Sequence, residues 1–388
     1  MSILPSDSAA MLRALELARG AHGRTWPNPM VGCVVVRDGQ ILAEGHTQRC
    51  GEDHAEADAL RKIDFRAEGA TIYVNLEPCC HWGRTPPCTD AIIRSGVRRV
   101  VVATQDPHPL VDGKGIETLR AAGIKVEVGF HEDAARALNE AHWISFTENR
   151  PFVTLKAAVT LDGRTATRSK KSKWITGPAA REHSRRERGL HQAVLVGVGT
   201  VLADDPQLNL RLNSEVGQGA LEPIRVVLDS NLRTPPGARL LSSPGGPVWI
   251  CTTGEALQSS RATALEDAGA RLIECGREGR LELSAVLTRL NEEQVATLFV
   301  EGGATIHGAF IDSGFVDRWL LYMAPKVFGG AEAIPLALGL GVDDPSSSLA
   351  LAPLAVTHLG DDLLIESRSA GGPAAAFWTQ RHGRGEQT

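Results

Sequence analysis

The hydrophobic positions of the first 150 residues fall into short blocks that switch between helical and strand-like spacing. Met11, Leu12, Leu15, Leu17 and Ala18 recur at helical intervals, so a helix is expected over about 8–20, with Gly20 as its stop. VGCVVV (31–36) and QILAEG (40–45) flank Asp38-Gly39, a residue pair that favours the tight turn of a hairpin. A helix starting close to His54 and running to about Ile63 comes next, then a strand at ATIYVNL (70–76) and a helix from Cys88 to Ser95. RRVVVAT (98–104), a helix near 116–122 and IKVEVGF (124–130) complete an alternation that implies a sheet layered with helices.

The pattern breaks at ENRPFVTLK (148–156), because Pro151 cannot continue a helix. Two domains are therefore expected, 1–149 and 150–368. Strands in the second are expected at about 152–159, 193–198, 224–229, 247–251, 271–274, 297–300 and 317–323, with a closing pair near 354–358 and 362–367. Residues 369–388 are small and polar and read as a disordered tail.

Bulk properties narrow the class. A chain of 388 residues with 43% hydrophobic and 22% charged positions is an ordinary globular composition, too long for one core. Its net charge of −5 gives no basic footprint for nucleic acid, although RSKKSK (168–173) and REHSRRER (181–188) are local basic runs. Such runs are ordinarily solvated faces; binding of phosphate by a few of their members is the functional alternative. Seven cysteines without a regular framework suggest reduced thiols. No apolar run approaches 18 residues and no basic, then apolar, leader opens the chain, so no membrane partner and a cytoplasmic location are expected.

The chemistry concentrates between residues 54 and 88. His54, Cys79 and Cys88 supply one imidazole and two thiolates, which makes a three-ligand zinc site with a position left for water. Glu56, two residues after His54, is placed to take a proton from that water and return it to a leaving amine. Two other readings stand beside this one. Cys80 or His81 could close the set into a structural zinc site, and Cys79 and Cys88 could form a disulfide.

In the second half, HQAVLVGVGTVLADDP (191–206) and LFVEGGATIHGAF (298–310) place glycines after buried strands, where backbone N–H groups can approach a phosphate. Neither completes the G-x-G-x-x-G pattern, so the pattern alone favours glycines that merely make tight turns over dinucleotide binding.

His-x-Glu followed by Pro-Cys and a second cysteine is the signature of zinc deaminases of nucleobase-like rings. The usual spacing between the cysteines is two residues, and here it is eight. PCCHWGRTPPC (78–88), PNPMVGCVVV (27–36), EGHTQRCGEDHAE (44–56) and DPHPLVDGKG (106–115) resemble the deaminase half of the bifunctional riboflavin biosynthesis deaminase–reductases. His108 stands where that family usually has Asn. LKAAVTLDGRTA (155–166), SKWITGPAAR (172–181), VGVGTVLADDPQLNLR (196–211) and FVEGGATIHGAF (299–310) resemble the reductase half, so the likeness runs from about residue 8 to 367.

The resemblance implies an α/β chain with a cytidine-deaminase-like domain followed by a dihydrofolate-reductase-like domain, and it implies zinc and NADPH as cofactors. It places Asn28, His46 and the 81–85 loop near the deaminase pocket. It assigns Ala158, Trp174, Thr200, Asp204, Ser230 and Gly303, Ala304, Thr305, Ile306, His307, Gly308 and Ala309 to NADPH. Ser172, Arg188, Leu208, Arg211 and Glu301 are assigned to a sugar-phosphate substrate. Arg188 and Arg211 could clamp the phosphate bidentately, and Lys156 and Glu301 could polarise and protonate the sugar oxygen. The implied reactions are zinc-dependent deamination of 2,5-diamino-6-ribosylamino-4(3H)-pyrimidinone 5′-phosphate, then reduction of the ribosyl group to ribityl. A deaminase of nucleosides or tRNA bases would leave the second half unexplained. A non-enzymatic zinc module would make Glu56 dispensable. The sequence leaves a homo-oligomer open.

Overall fold

The computed structural model describes residues 6–210 and 221–371, with 375, 378 and 379. The chain divides into two units, Met1–Glu148 and Asn149–Thr388. In the first, α1 (Asp7–Arg19) precedes the hairpin β1 (Gly32–Arg37) and β2 (Gln40–His46). Asp38 and Gly39 both take positive φ, as the hairpin turn requires. Then come α2 (Ala55–Arg61), β3 (Thr71–Val74), α3 (Cys88–Arg94), β4 (Arg99–Val102), α4 (Lys114–Ala121) and β5 (Lys125–Val128), followed by α5 (Glu132–Leu138) and α6 (Glu140–Thr147).

The five strands form one sheet in the order β2-β1-β3-β4-β5, with β3, β4 and β5 parallel and β1 antiparallel to both its neighbours. Alternate residues of β1 serve opposite faces. Cys33 and Val35 join Ala55, Ala59, Leu60, Ile92 and Leu119 in one apolar layer, while Val34 and Val36 meet Met11, Ala14, Leu15 and Ala135 in the other. Helix α2 lies so close to β2 that a Cβ at Gly45 would come within 2.3 Å of the Ala55 carbonyl oxygen. That contact fixes the height at which α2 begins, and hence the position of His54.

The second unit opens with β6 (Phe152–Thr160), β7 (Arg164–Ala166), α7 (Pro178–Gly189), β8 (Ala193–Gly197), α8 (Val198–Asp204) and β9 (Ile224–Leu228). It continues with α9 (Arg239–Ser242), β10 (Val248–Thr252), α10 (Gly254–Leu257), α11 (Ser260–Asp267), β11 (Ala270–Glu274) and a small hairpin of β12 (Gly276–Arg277) and β13 (Arg280–Leu281). Helix α12 (Leu283–Glu292), β14 (Thr297–Gly302), α13 (Ala304–Asp312), β15 (Arg318–Ala324), β16 (Ile334–Pro335), β17 (Ala355–Leu359) and β18 (Asp362–Arg368) follow.

Nine of these strands make one sheet in the order β11-β10-β9-β8-β14-β6-β15-β18-β17, in which β18 alone runs antiparallel, to both its neighbours. Val194 and Val196 face α7 and α8, whereas Ala193 and Leu195 face α12 and α13. Strand β14 returns to lie between β8 and β6, so the chain reverses its direction of travel across the sheet there. In open α/β sheets the crevice at such a point, beside the carboxyl ends of the strands, is where ligands bind.

The expected strands appear within a residue or two of their expected bounds. The β7–β16 pair and the β12–β13 hairpin had no counterpart in the sequence pattern, being only two or three residues per strand. The described part of the tail departs from the expected disorder. Leu351 bridges Ser369, and Trp378 Nε1 donates to the Pro353 carbonyl at 2.7 Å while its ring takes the Arg368 guanidinium. No helix among the described residues is long and apolar enough to cross a membrane.

The start of the second unit is pinned by charge. Arg150 donates twice to Asp317, at 2.7 and 2.8 Å, and Asp317 also accepts the Val153 N–H at 2.7 Å; both side chains are about nine-tenths buried. Asp317→Ala removes two charge-assisted hydrogen bonds from a buried guanidinium and is expected to destabilise this unit by roughly 3–5 kcal/mol. The shift of its urea unfolding midpoint measures the loss.

Candidate active sites

His54 caps the N-terminus of α2 in an extended conformation, and Cys88 is the first residue of α3. Cys79 lies in the loop that leaves β3. These elements bring His54 Nδ1 to 3.5 Å from Cys79 Sγ and 3.4 Å from Cys88 Sγ. A tetrahedral zinc with Zn–S near 2.3 Å and Zn–N near 2.05 Å would separate nitrogen from sulfur by about 3.6 Å, so the donor set fits the ion. Among the described residues this is the one group of three or more His, Cys, Asp or Glu side chains arranged to hold a metal. Cys80 turns away toward the Leu110 carbonyl at 3.7 Å, and neither it nor His81 joins the group. All seven cysteines are free, so no Cys79–Cys88 disulfide is present.

The electrostatics point the same way. The Cys88 N–H, at the start of α3, donates to Cys79 Sγ at 3.4 Å. The hydrogen bond from the Cys88 thiol, and then the one from His54, holds Cys79 well below the usual thiol range. That thiolate and burial push Cys88 well up. Thr85 Oγ1 lies 3.4 Å from His54 Nε2, so a proton on Nε2 leaves the Nδ1 lone pair for a metal. Glu56, in the first turn of α2, is only 3% exposed; burial first, and the Cys79 charge second, push its carboxyl up to about 7. Two thiols and a carboxyl that resist joint ionisation form a pocket that a divalent cation completes.

The residues around this cluster are held by buried side chains. Asn75 and Asn139 grip both backbone groups of Met30, with Met30 N donating to Asn139 Oδ1 at 2.8 Å, and so fix the loop that carries Asn28. Glu77 accepts from the backbone N–H groups of Asp106, Gly113 and Ile116 at 3.0–3.1 Å, gathering the loop that carries His108. His108 stacks on His81 with ring centroids 5.6 Å apart and packs on Phe146 at 4.5 Å. The backbone N–H of His46 donates to Asp58 Oδ2 at 3.1 Å. Sequence reasoning passed over Asn75, Glu77 and Asn139. Glu77, next to Pro78-Cys79, was the one with a local cue.

In the second unit, β8 ends at Gly197 and β14 at Gly302, and the helices that follow converge. A Cβ at Gly197 would strike Ile306 of α13 at 2.7 Å. Thr200 and Asp204 share one face of α8, four residues apart. Gly303, Thr305 and Ala309 are exposed, whereas Ala304, His307 and Gly308 are buried. Ala158 lies half-buried on β6. The Ser230 carbonyl accepts from the hydroxyls of Thr252 and Thr253, which fixes the backbone just beyond β9. Trp174 is 65% exposed.

Arg188 departs from the expected phosphate clamp. It is buried, donates to both oxygens of Glu301 at 2.7 and 2.9 Å, and donates to the Asn209 carbonyl at 2.7 Å. Its bidentate edge is taken by a carboxylate on β14, because a buried guanidinium needs a fixed counter-charge. Arg225 donates to the Gln207 carbonyl at 3.4 Å, so two arginines hold the backbone on either side of Leu208, whose φ is 55°. Lys156 is half-buried beside this pair; loss of hydration lowers its pKa, Glu301 opposes this and the Arg188 charge adds to it. Ser172 is half-buried. Arg211 lies outside the described residues.

One zinc per chain is expected from the geometry of the first unit. Cys88→Ser should abolish its retention, and Cys80→Ser should leave it in place. Metal analysis of the two purified variants checks this, and full zinc in Cys88→Ser would contradict the ligand set.

Comparison with known proteins agrees with both halves. Residues 4–104 match the cytidine and deoxycytidylate deaminase zinc-binding region, and residues 151–365 match the RibD C-terminal domain. The riboflavin biosynthesis protein RibD of Aquifex aeolicus is 44% identical over 92% of this chain and 97% of its own length. That of Escherichia coli is 39% identical over 92% and 98%. Among solved structures, Acinetobacter baumannii RibD superposes with a TM-score of 0.85 at 38% identity, covering 94% of this chain and 99% of that one. A Thermotoga maritima deaminase/reductase does so with 0.78 at 36%, covering 94% and 98%. The chain belongs to the RibD family of riboflavin biosynthesis proteins.

Proposed function

We propose that this chain carries out two successive steps of riboflavin biosynthesis. The first unit hydrolyses the ring amine of 2,5-diamino-6-ribosylamino-4(3H)-pyrimidinone 5′-phosphate. The second reduces the ribosyl group of the resulting 5-amino-6-(5-phosphoribosylamino)uracil to ribityl. The convergence of His54, Cys79 and Cys88 beside the buried Glu56 is the observation that carries the first step.

Bound zinc lowers the pKa of water toward neutrality. Glu56 accepts the proton of the attacking water and delivers it to the departing amine. A carboxyl raised to about 7 is matched to both transfers at neutral pH. The stacked His81–His108 pair and the 81–85 loop wall the pocket, with Asn28 and His46 as further substrate contacts.

For the second step, NADPH supplies a hydride. Gly303 to Ala309 with Thr200, Asp204, Ser230, Ala158 and Trp174 bind the dinucleotide along the carboxyl ends of the strands. Ser172, Leu208, Arg211 and Glu301 receive the substrate. Arg188 orients Glu301 and the Leu208 backbone, while Lys156 and Glu301 exchange the proton at the sugar oxygen. Arg188 and Lys156 beside Glu301 give this pocket cationic groups that suit a phosphorylated substrate.

Glu56→Gln should retain zinc but lose deamination by at least about 10²-fold, because an amide cannot shuttle a proton. Reduction of already deaminated substrate should be unchanged. A coupled assay with and without NADPH reads both steps, and near-normal deamination would assign the proton transfer to another group.

In the reductase, Arg211→Ala should raise KM for the pyrimidine phosphate strongly with little change in NADPH binding. Glu301→Gln should lower the hydride-transfer rate instead. Steady-state and single-turnover kinetics separate the two, and weakened NADPH binding in Arg211→Ala would reverse this division of the pocket.

A further inference from the structure

Residues 173–177 form a strap between β7 and α7 with no helix or strand of their own, yet a charged side chain ties each residue down. Lys173 Nζ lies 3.3 Å from Asp204 Oδ1 on α8. Lys326, just beyond β15, donates to the carbonyls of Trp174 and Ile175 at 2.9 and 2.6 Å. Arg181 on α7 donates to the Thr176 carbonyl at 2.5 Å. The Gly177 N–H donates to Asp362 Oδ2 on β18 at 2.6 Å. The same Arg181 guanidinium also lies over the Trp174 ring, 4.5 Å from its centroid.

These ties act on a side chain that lies mostly in solvent. The Trp174 indole is 65% exposed, so packing does not set its angle. The guanidinium over the ring and the two anchored carbonyls do. One face of the ring is occupied by a cation, and the ring as a whole stays open to solvent. An aromatic surface fixed before a ligand arrives loses little conformational freedom on binding. The tie from Lys173 to Asp204 sets the strap against α8, one turn from Thr200 and from the convergence of α8 with α13.

We propose that Lys326 and Arg181 are positioning residues that hold the Trp174 indole as a platform for a flat heteroaromatic ring of the dinucleotide. The proposal rests on the assignment of Trp174 to the NADPH site and names what keeps that residue in place. Loss of either anchor frees the strap without removing the ring, so affinity for the dinucleotide falls while chemistry in the filled site is preserved.

The test uses the full-length zinc-loaded protein and variants Trp174→Ala, Lys326→Met, Lys326→Arg and Arg181→Gln. NADPH affinity is measured by calorimetry, and kcat at saturating NADPH in the reductase assay. Ordering a freed aromatic side chain on binding corresponds to up to about tenfold in affinity, so Lys326→Met and Arg181→Gln should each bind NADPH up to about tenfold more weakly. Their kcat and their KM for the pyrimidine phosphate should stay within about twofold, with Lys326→Arg restoring affinity. Adenosine 2′,5′-bisphosphate, which lacks nicotinamide, locates the ring: parallel weakening assigns the platform to adenine, and unchanged binding assigns it to nicotinamide. If Trp174→Ala binds NADPH normally, the assignment of Trp174 fails. If Trp174→Ala is weak but Lys326→Met and Arg181→Gln bind normally, the assignment stands and the positioning proposal is overturned. Arg181→Gln alone decides the matter should Lys326→Met fold poorly.

Discussion

The first unit is organised by the cost of burying negative charge. Glu56 and Cys88 are buried and Cys79 is half-buried, in a unit whose apolar layer is built mainly of alanine, valine, leucine and isoleucine. Isolated anions there would be expelled or protonated, and the raised Glu56 and Cys88 show that tendency. What makes the arrangement tenable is convergence. Helices α2 and α3 begin at the site, the Cys88 N–H points at Cys79, and His54 stands between the sulfurs. A divalent cation supplies the remaining charge. The close packing of α2 on β2 at Gly45 and the Glu77 knot of backbone hydrogen bonds then read as scaffolding for that point.

The second unit solves a related problem with the signs exchanged. Lys156, Arg188 and Glu301 sit together behind the carboxyl ends of β6 and β14. Glu301 is shared: it neutralises Arg188 through two hydrogen bonds and raises the Lys156 pKa against the effect of burial. One carboxylate therefore offsets part of the cost of charging a lysine, orients an arginine and, through that arginine's bond to Asn209, bears on the course of the chain past Leu208. A lysine in place of Arg188 could not make these three bonds, since its ammonium lacks the planar fork that meets both Glu301 oxygens.

Much of this was legible in the sequence because it depends on local patterns. Alternating strands such as VGCVVV carry their own period, and Pro151 cannot lie within a helix. His54, Glu56, Cys79 and Cys88 are residue types whose chemistry is specific at that spacing. What stayed hidden depends on contacts distant in sequence. Arg188 and Glu301 are 113 residues apart, so nothing near Arg188 announces that its guanidinium is committed. Asn139 reaches Met30 across 109 residues, and its local context is a plain break between two helices. Trp378 looked like part of a featureless tail because its partners, Pro353 and Arg368, lie on other segments.

The same contrast explains why the supports of each site differ in kind from the residues they hold. Groups that act on substrate must be reactive types, and those are recognisable from composition and spacing. Groups that hold loops need only a donor or acceptor at the right distance, which Asn, Glu, Lys and Arg supply in many sequences without any such role. Glu77 holds three N–H groups that lie 29, 36 and 39 residues further along the chain, and Arg225 gathers carbonyls of Gln207, Ser243 and Gly246. Each satisfies backbone groups that a buried turn would otherwise leave unpaired. The loops around both sites can therefore be irregular without being loose, because side chains rather than strand or helix ladders complete their hydrogen bonding.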